Sequence, residues 1–242
     1  MKTRRHNLKQ RLVNEAIGTG FLVAAVVGSG IMGERLAGGN GAVALLVNTI
    51  ATGAALVALI CTFGPISGAH LNPAVSLADA IEGGITLPEM LAYIAAQCTG
   101  GIGGTIAAHL MFDLPWYSPS THARNGSALL FSEFVASFGL LCVIWGCSRL
   151  RSGVVPFAVA SYITAAYWFT SSTSFANPAV TLARSLTNTF TGIRPVDVPL
   201  FVVAQAAGAL SATFLFRWLA PNLPATACQV LVPHPDTESA RV

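Results

Sequence analysis

Six long apolar stretches divide the chain, at about residues 12–33, 42–63, 88–112, 127–149, 154–172 and 198–220. Each reaches the roughly 20 residues that an α-helix needs to cross about 30 Å of hydrocarbon. Two further apolar pieces, about 72–82 and 177–187, are too short to cross. At about 1.5 Å of rise per residue, each covers roughly half of the bilayer core. The pattern predicts an all-α integral membrane protein with six transmembrane helices and two re-entrant half-helices.

The two short pieces are near copies. "AHLNPAVSLADA" occupies residues 69–80 and "SFANPAVTLARS" residues 174–185. The correspondence extends outwards: Glu15 parallels Glu133, Gln97 parallels Gln205, and Gly100 and Gly104 parallel Gly208 and Ala212. A unit of three spans is therefore used twice. The second copy starts after an odd number of spans and runs through the membrane the other way, which makes an inverted repeat.

Inversion brings the two half-helices together near mid-membrane with their N-termini facing. Asn72 and Asn177 suit helix N-caps. Pro73 and Pro178 suit the first turn, where a missing N–H costs nothing, and Ala74 and Ala179 follow them. The segments leading in, Gly64 to Leu71 and Thr170 to Ala176, are then non-helical backbone at membrane depth. Such backbone is tolerated where it is buried or lines a water-filled cavity. The repeat thus predicts a polar path lined by the carbonyls of Gly68, Ala69, His70, Leu71, Ser174, Phe175 and Ala176. At its middle Asn72 and Asn177 donate side-chain N–H groups to a passing solute. The positive ends of both half-helices oppose cations, protons included. Glu15 and Glu133, with Gln97 and Gln205, are read as supporting the lead-in loops, the carboxylates by accepting backbone hydrogen bonds; direct contact with solute is the other reading for the two Glu.

Composition agrees with the pattern. The 242 residues are 53% apolar and only 10% charged, against about 25% charged in soluble domains. Of the 13 Lys and Arg, nine fall on one side of a six-span chain: Lys2, Arg4, Arg5, Lys9, Arg11, Arg149, Arg151, Arg217 and Arg241. Arg35, Arg124, Arg184 and Arg194 fall on the other. The positive-inside rule places both termini in the cytoplasm. Residues 1–11 are then a basic topology signal rather than a nucleic-acid-binding arm. Residues 12–220 form the channel domain, in halves of about 12–112 and 127–220, and residues 221–242 a cytoplasmic tail. The five cysteines have no metal-ligand spacing, and no cofactor motif or nucleophile–base pair is present. Neither a cofactor nor an enzyme is expected.

The paired Asn-Pro-Ala elements, with Glu15, Glu133, Gln97 and Gln205, resemble the aquaporin, or major intrinsic protein, family over about residues 10–220. The resemblance implies one pore per chain, a homotetramer, a bacterial inner (plasma) membrane location, and passive flow of water or small neutral solutes. It also implies a four-position constriction towards the outer side. Counted from the motifs, its positions are Thr52, Ala165, Ser174 and Val180. The family usually has Arg at the position of Val180, holding positive charge in the constriction. A set of Thr, Ala, Ser and Val gives a wide opening with few donors. Water-selective members combine His with Arg, and glycerol facilitators combine aromatics with Arg. The chain looks most like a bacterial branch associated with arsenic resistance, which carries Val after the second Asn-Pro-Ala. That resemblance implies glycerol-like polyols, arsenous acid or methylated trivalent arsenicals as solutes, with some water. A mainly water-conducting channel is the alternative, and a structural or junctional membrane protein is the reading from another class.

Asp79 and Arg184 stand seven residues after each Asn, one turn (about 5.4 Å) beyond Val75 and Val180. Two readings stand for them. Arg184 places a positive charge in the outer vestibule, or both side chains snorkel to the interface.

Overall fold

A computed structural model describes residues 6–150 and 152–219. Among these residues there are eight α-helices and no β-strand: α1 Leu8–Leu36, α2 Gly41–Ser67, α3 Pro73–Ile81, α4 Leu87–Met111, α5 Ser127–Leu150, α6 Val155–Phe169, α7 Pro178–Arg184 and α8 Val198–Leu219. Four stretches are long and apolar enough to cross a membrane on length and composition alone: Leu8–Leu36, Gly41–Ser67, Ser127–Ser148 and Pro195–Leu219. α4 has the length, at 25 residues, but its apolar character is diluted by buried Gln97, Thr105 and His109. α6 has only 15 residues and is led in by a 3₁₀ turn, Ser152–Val154. Residues 1–5 and the 221–242 tail lie outside the described residues.

Local signals set the helix starts. Asn7 caps α1 and Thr86 caps α4, each in a capping box with Gln10 and Glu89. α1 therefore begins at Leu8, inside the stretch assigned to the basic N-terminus. Arg11, in that stretch, is buried, with its guanidinium on Glu89 and near the Tyr93 hydroxyl. Asn72 and Asn177 cap α3 and α7, with Pro in the first turn of each.

The halves pack alike. α1 lies against α2 and α4, and α5 against α6 and α8. Across the repeat, α2 meets α6, α3 meets α8, α4 meets α7, and α3 meets α7. The outer faces carry exposed Val13, Ile17, Phe21, Phe131, Phe157 and Phe214, whereas Glu15, Gln97, Glu133 and Gln205 are fully buried. Apolar outside and hydrogen-bonded polar groups inside is what a lipid solvent demands.

Close helix crossings depend on glycine. A Cβ at Gly104 would lie 2.2 Å from the Gly20 carbonyl oxygen, and one at Gly208 2.3 Å from that of Phe134. The small residues matched across the repeat are therefore where backbones of α1 and α4, and of α5 and α8, touch. Gly208→Val forces backbone apart, and overpacking of this kind costs about 1–3 kcal/mol or more. A lower melting temperature and yield in detergent are expected, whereas Gly146→Ala, with its nearest neighbour at 3.8 Å, leaves both near native.

Candidate functional site

Each lead-in must turn sharply into its half-helix. Gly68, Ala69 and Leu71 in the first, and Thr173, Ser174 and Ala176 in the second, have φ between 46° and 89°. These are the same three positions relative to Asn72 and Asn177. For a non-glycine residue the left-handed region costs roughly 1–2 kcal/mol, so surrounding bonds must hold it.

Those bonds come from the buried carboxylates. Glu15 accepts from the backbone N–H of His70 (3.0 Å) and Leu71 (2.7 Å), from the Ser67 hydroxyl (2.5 Å) and from Gln97 Nε2 (2.8 Å). Glu133 accepts from the N–H of Phe175 and Ala176 (both 2.9 Å) and from Gln205 Nε2 (2.6 Å). Each Gln also donates to a hydroxyl on its half-helix, Gln97 to Ser76 and Gln205 to Thr181. With their acceptors filled by the loops, the two Glu do not line the cavity below.

The half-helices meet tip to tip. Asn72 Nδ2 donates to the Ala176 carbonyl (2.8 Å), and Asn177 Nδ2 to the Leu71 carbonyl (2.7 Å). Each Oδ1 accepts from its own first turn, Asn72 from Ala74 and Asn177 from Ala179 and Val180. The second amide hydrogen of each Asn has no hydrogen-bond partner among the described residues. The first lead-in is shorter than its sequence suggests. α2 continues through Pro65 to Ser67, so only residues 68–71 are non-helical. Gly68 is the left-handed cap of α2 and does not line the cavity, contrary to its assignment as a lining carbonyl.

That cavity has a volume of about 70 Å³, several times the roughly 10–15 Å³ that one water needs. The polar side is Asn72, Asn177 and the lead-in residues Ala69, His70, Leu71, Ser174, Phe175 and Ala176. Four helices supply the opposite wall at i, i+4 spacing: Leu22 and Val26 of α1, Thr52, Leu56 and Ile60 of α2, Leu140 and Ile144 of α5, and Val159, Ile163 and Tyr167 of α6. Val75 and Val180 both line it.

Of the four positions expected to form a constriction, Thr52, Ser174 and Val180 line the cavity. Ala165 does not. The lumen stripe of α6 runs through Val159, Ile163 and Tyr167, which puts Ala165 on the exposed outer face. The seven-residue lead-in after Phe169 breaks the count from Asn177. Tyr167, on that stripe, has its hydroxyl 3.2 Å from Thr52 Oγ1. The Ser174 hydroxyl has no hydrogen-bond partner among the described residues.

Asp79 and Arg184 part company. Asp79 is buried off the cavity, with its carboxylate 3.5 Å from His70 Nε2. Arg184 is only 2% exposed and lines the cavity, so neither side chain snorkels. Its guanidinium carbon lies 3.3 Å from the centre of the Phe175 ring, and its Nε donates to the Thr191 carbonyl (2.5 Å). Arg124, in the loop between α4 and α5, lies over the same ring at 4.9 Å. Burial pulls the Arg124 pKa below its ordinary value, with Glu133 and Tyr167 pulling the other way.

The apolar wall, Tyr167 and the side chain of His70 lie beyond what the motifs mark in the sequence. A signal existed for the wall: the offset of 118 that relates Glu15 to Glu133 also relates Leu22 to Leu140 and Val26 to Ile144.

A family model described as major intrinsic protein matches residues 2–165 of the chain. The chain is 57% identical over 213 residues to the aquaglyceroporin AqpS of Rhizobium meliloti, covering 88% of this chain and 91% of that protein. It is 31% identical to a probable NIP-type aquaporin of Nicotiana alata, over 86% of this chain and 77% of the other. Among solved structures it is similar in fold to the aquaglyceroporin from Plasmodium falciparum, with a TM-score of 0.69 at 20% identity, covering 90% of this chain and all of that one.

Glu133→Leu strands the N–H groups of Phe175 and Ala176 and the Gln205 amide. Each unsatisfied buried donor costs about 1–3 kcal/mol. A large loss of thermal stability is expected in detergent, with a smaller loss for Glu133→Gln, which keeps one acceptor oxygen.

Proposed function

We propose that this chain, which belongs to the major intrinsic protein family, is a passive channel for small neutral solutes: glycerol-like polyols and arsenous acid or methylated trivalent arsenicals, with some water. The family is one of multi-pass membrane channels and not of enzymes. The observation that carries the solute reading is Val180, which lines the cavity together with Thr52 and Ser174. At that level it offers no charge and no donor, only a methyl-bearing wall. Hydroxyls at Thr52, Tyr167 and Ser174, the lead-in carbonyls and the two Asn amides supply hydrogen bonds on one side, and the aliphatic stripes face them. A solute with hydroxyls on one edge and an apolar edge opposite suits such a lumen better than an ion does. The name of the 57% identical relative, an aquaglyceroporin, supports the same class.

The four-position constriction in this reading is Thr52, Ser174 and Val180, with Tyr167 from α6. The excess of Lys and Arg on one side supports a cytoplasmic location for both termini, in a bacterial inner membrane. The exposed apolar outer faces suit lipid and neighbouring copies in a homotetramer.

Stopped-flow light scattering on proteoliposomes tests the reading. Native protein is expected to pass glycerol and arsenous acid as well as water. Val180→Arg is expected to suppress glycerol about tenfold more than water, a difference of roughly 1.4 kcal/mol. Water flux alone from the native protein would overturn the solute class.

A further inference from the structure

We propose that Arg184 is a displaced filter cation: it sets the ion barrier of the pore from one helical turn beyond Val180. The inference rests on the channel reading above and adds the residue that keeps ions out. Arg184 ends α7, and with Val180, Phe175 and Tyr167 it lines the cavity. It is 2% exposed, and among the described residues no Asp or Glu forms a salt bridge with it; the buried Glu133 carboxylate acts on it only from a distance. Nε is used on the Thr191 carbonyl, and the two terminal amino groups make no hydrogen bond among the described residues. A buried charge with no carboxylate in contact is costly unless something else holds it. Here the face of the Phe175 ring does so, and the Phe175 N–H is itself fixed by Glu133.

Arg124 strengthens the case. It sits over the same ring, with Nε on the Gly192 carbonyl (2.8 Å) and an amino group on the Ser172 carbonyl (3.2 Å). Two guanidinium groups thus converge on one ring at one end of the cavity. At the other end Asp79, the repeat-related residue, stays off the cavity and near His70. The positive field is therefore one-sided. Inside the protein it is several times stronger than in water, because the surrounding dielectric is low. A guanidinium also presents donors to neutral hydroxyls. The position of Val180 stays uncharged and open, so solute width is set at one level and charge exclusion at the next.

The experiment compares native, Arg184→Gln and Arg184→Lys proteins in vesicles, reading potassium and proton flux with dyes beside glycerol and water flux. The readout is the ratio of cation flux to neutral flux. Arg184→Gln is expected to raise that ratio by about tenfold or more, and Arg184→Lys to keep it near native, since the charge persists. Ser174→Asp is the second variant. It leaves the stack on Phe175 in place and adds a carboxylate to the same lumen. It is made alone and with Arg184→Lys, and it is expected to raise the ratio by less than Arg184→Gln does, because Arg184 offsets the added charge. If Arg184→Gln does not fold, Arg184→Met, neutral and of similar length, decides. Folded variants that keep the native ratio overturn the proposal while leaving the channel reading intact. A native protein that passes neither glycerol nor water overturns the channel reading and this inference with it.

Discussion

Two hydrogen bonds across the pseudo-symmetry hold the structure to its purpose. Asn72 donates to the carbonyl of Ala176, and Asn177 to that of Leu71. Each half-helix is thereby tied to the lead-in of the other, and two positive helix ends are kept facing at mid-membrane. Without this exchange, each lead-in would carry an unmet carbonyl and each half-helix would be free to slide. The bond is made by a side chain that also caps its own helix through Oδ1, so one residue does both tasks in each half.

The tip-to-tip joint imposes the left-handed backbone at Ala69, Leu71, Ser174 and Ala176. That backbone in turn requires the buried Glu15 and Glu133, and those carboxylates require Gln97 and Gln205 to complete their shells. Every link is a polar group inside an apolar body, and every link occurs twice. The cavity is what remains between this polar spine and the aliphatic stripes of α1, α2, α5 and α6.

Much of the fold was legible because the signals were local and repeated. Asn-Pro at a half-length apolar piece names a cap, a first turn and a truncated helix at once, and a second copy at odd span count gives the inversion. Glu15 and Glu133 stood out because a carboxylate inside an apolar run needs a partner. What was not legible depended on phase across a break. A count back from Asn177 reaches Ala165 only across a lead-in whose length does not follow helical periodicity, and the lumen stripe falls on Ile163 and Tyr167 instead. Gly64 to Ser67 continue as helix because Pro65 sits in the last turn, where one lost bond is affordable. The divergence of Asp79 and Arg184 was beyond the pattern too: equal register gives equal direction only when the neighbours match, and His70 faces one whereas Phe175 faces the other.

The stripes on α1, α2, α5 and α6 have a consequence for how such a molecule changes over generations. Their lumen-facing side chains hold none of the buried carboxylate, amide and carbonyl bonds that fix the backbone. Exchange of Leu, Ile, Val or Thr at one of these sites resizes the passage without disturbing the frame. New permeants are therefore reachable by single steps along a lineage, whereas the joint at the centre, where one substitution breaks bonds in both halves, is closed to drift.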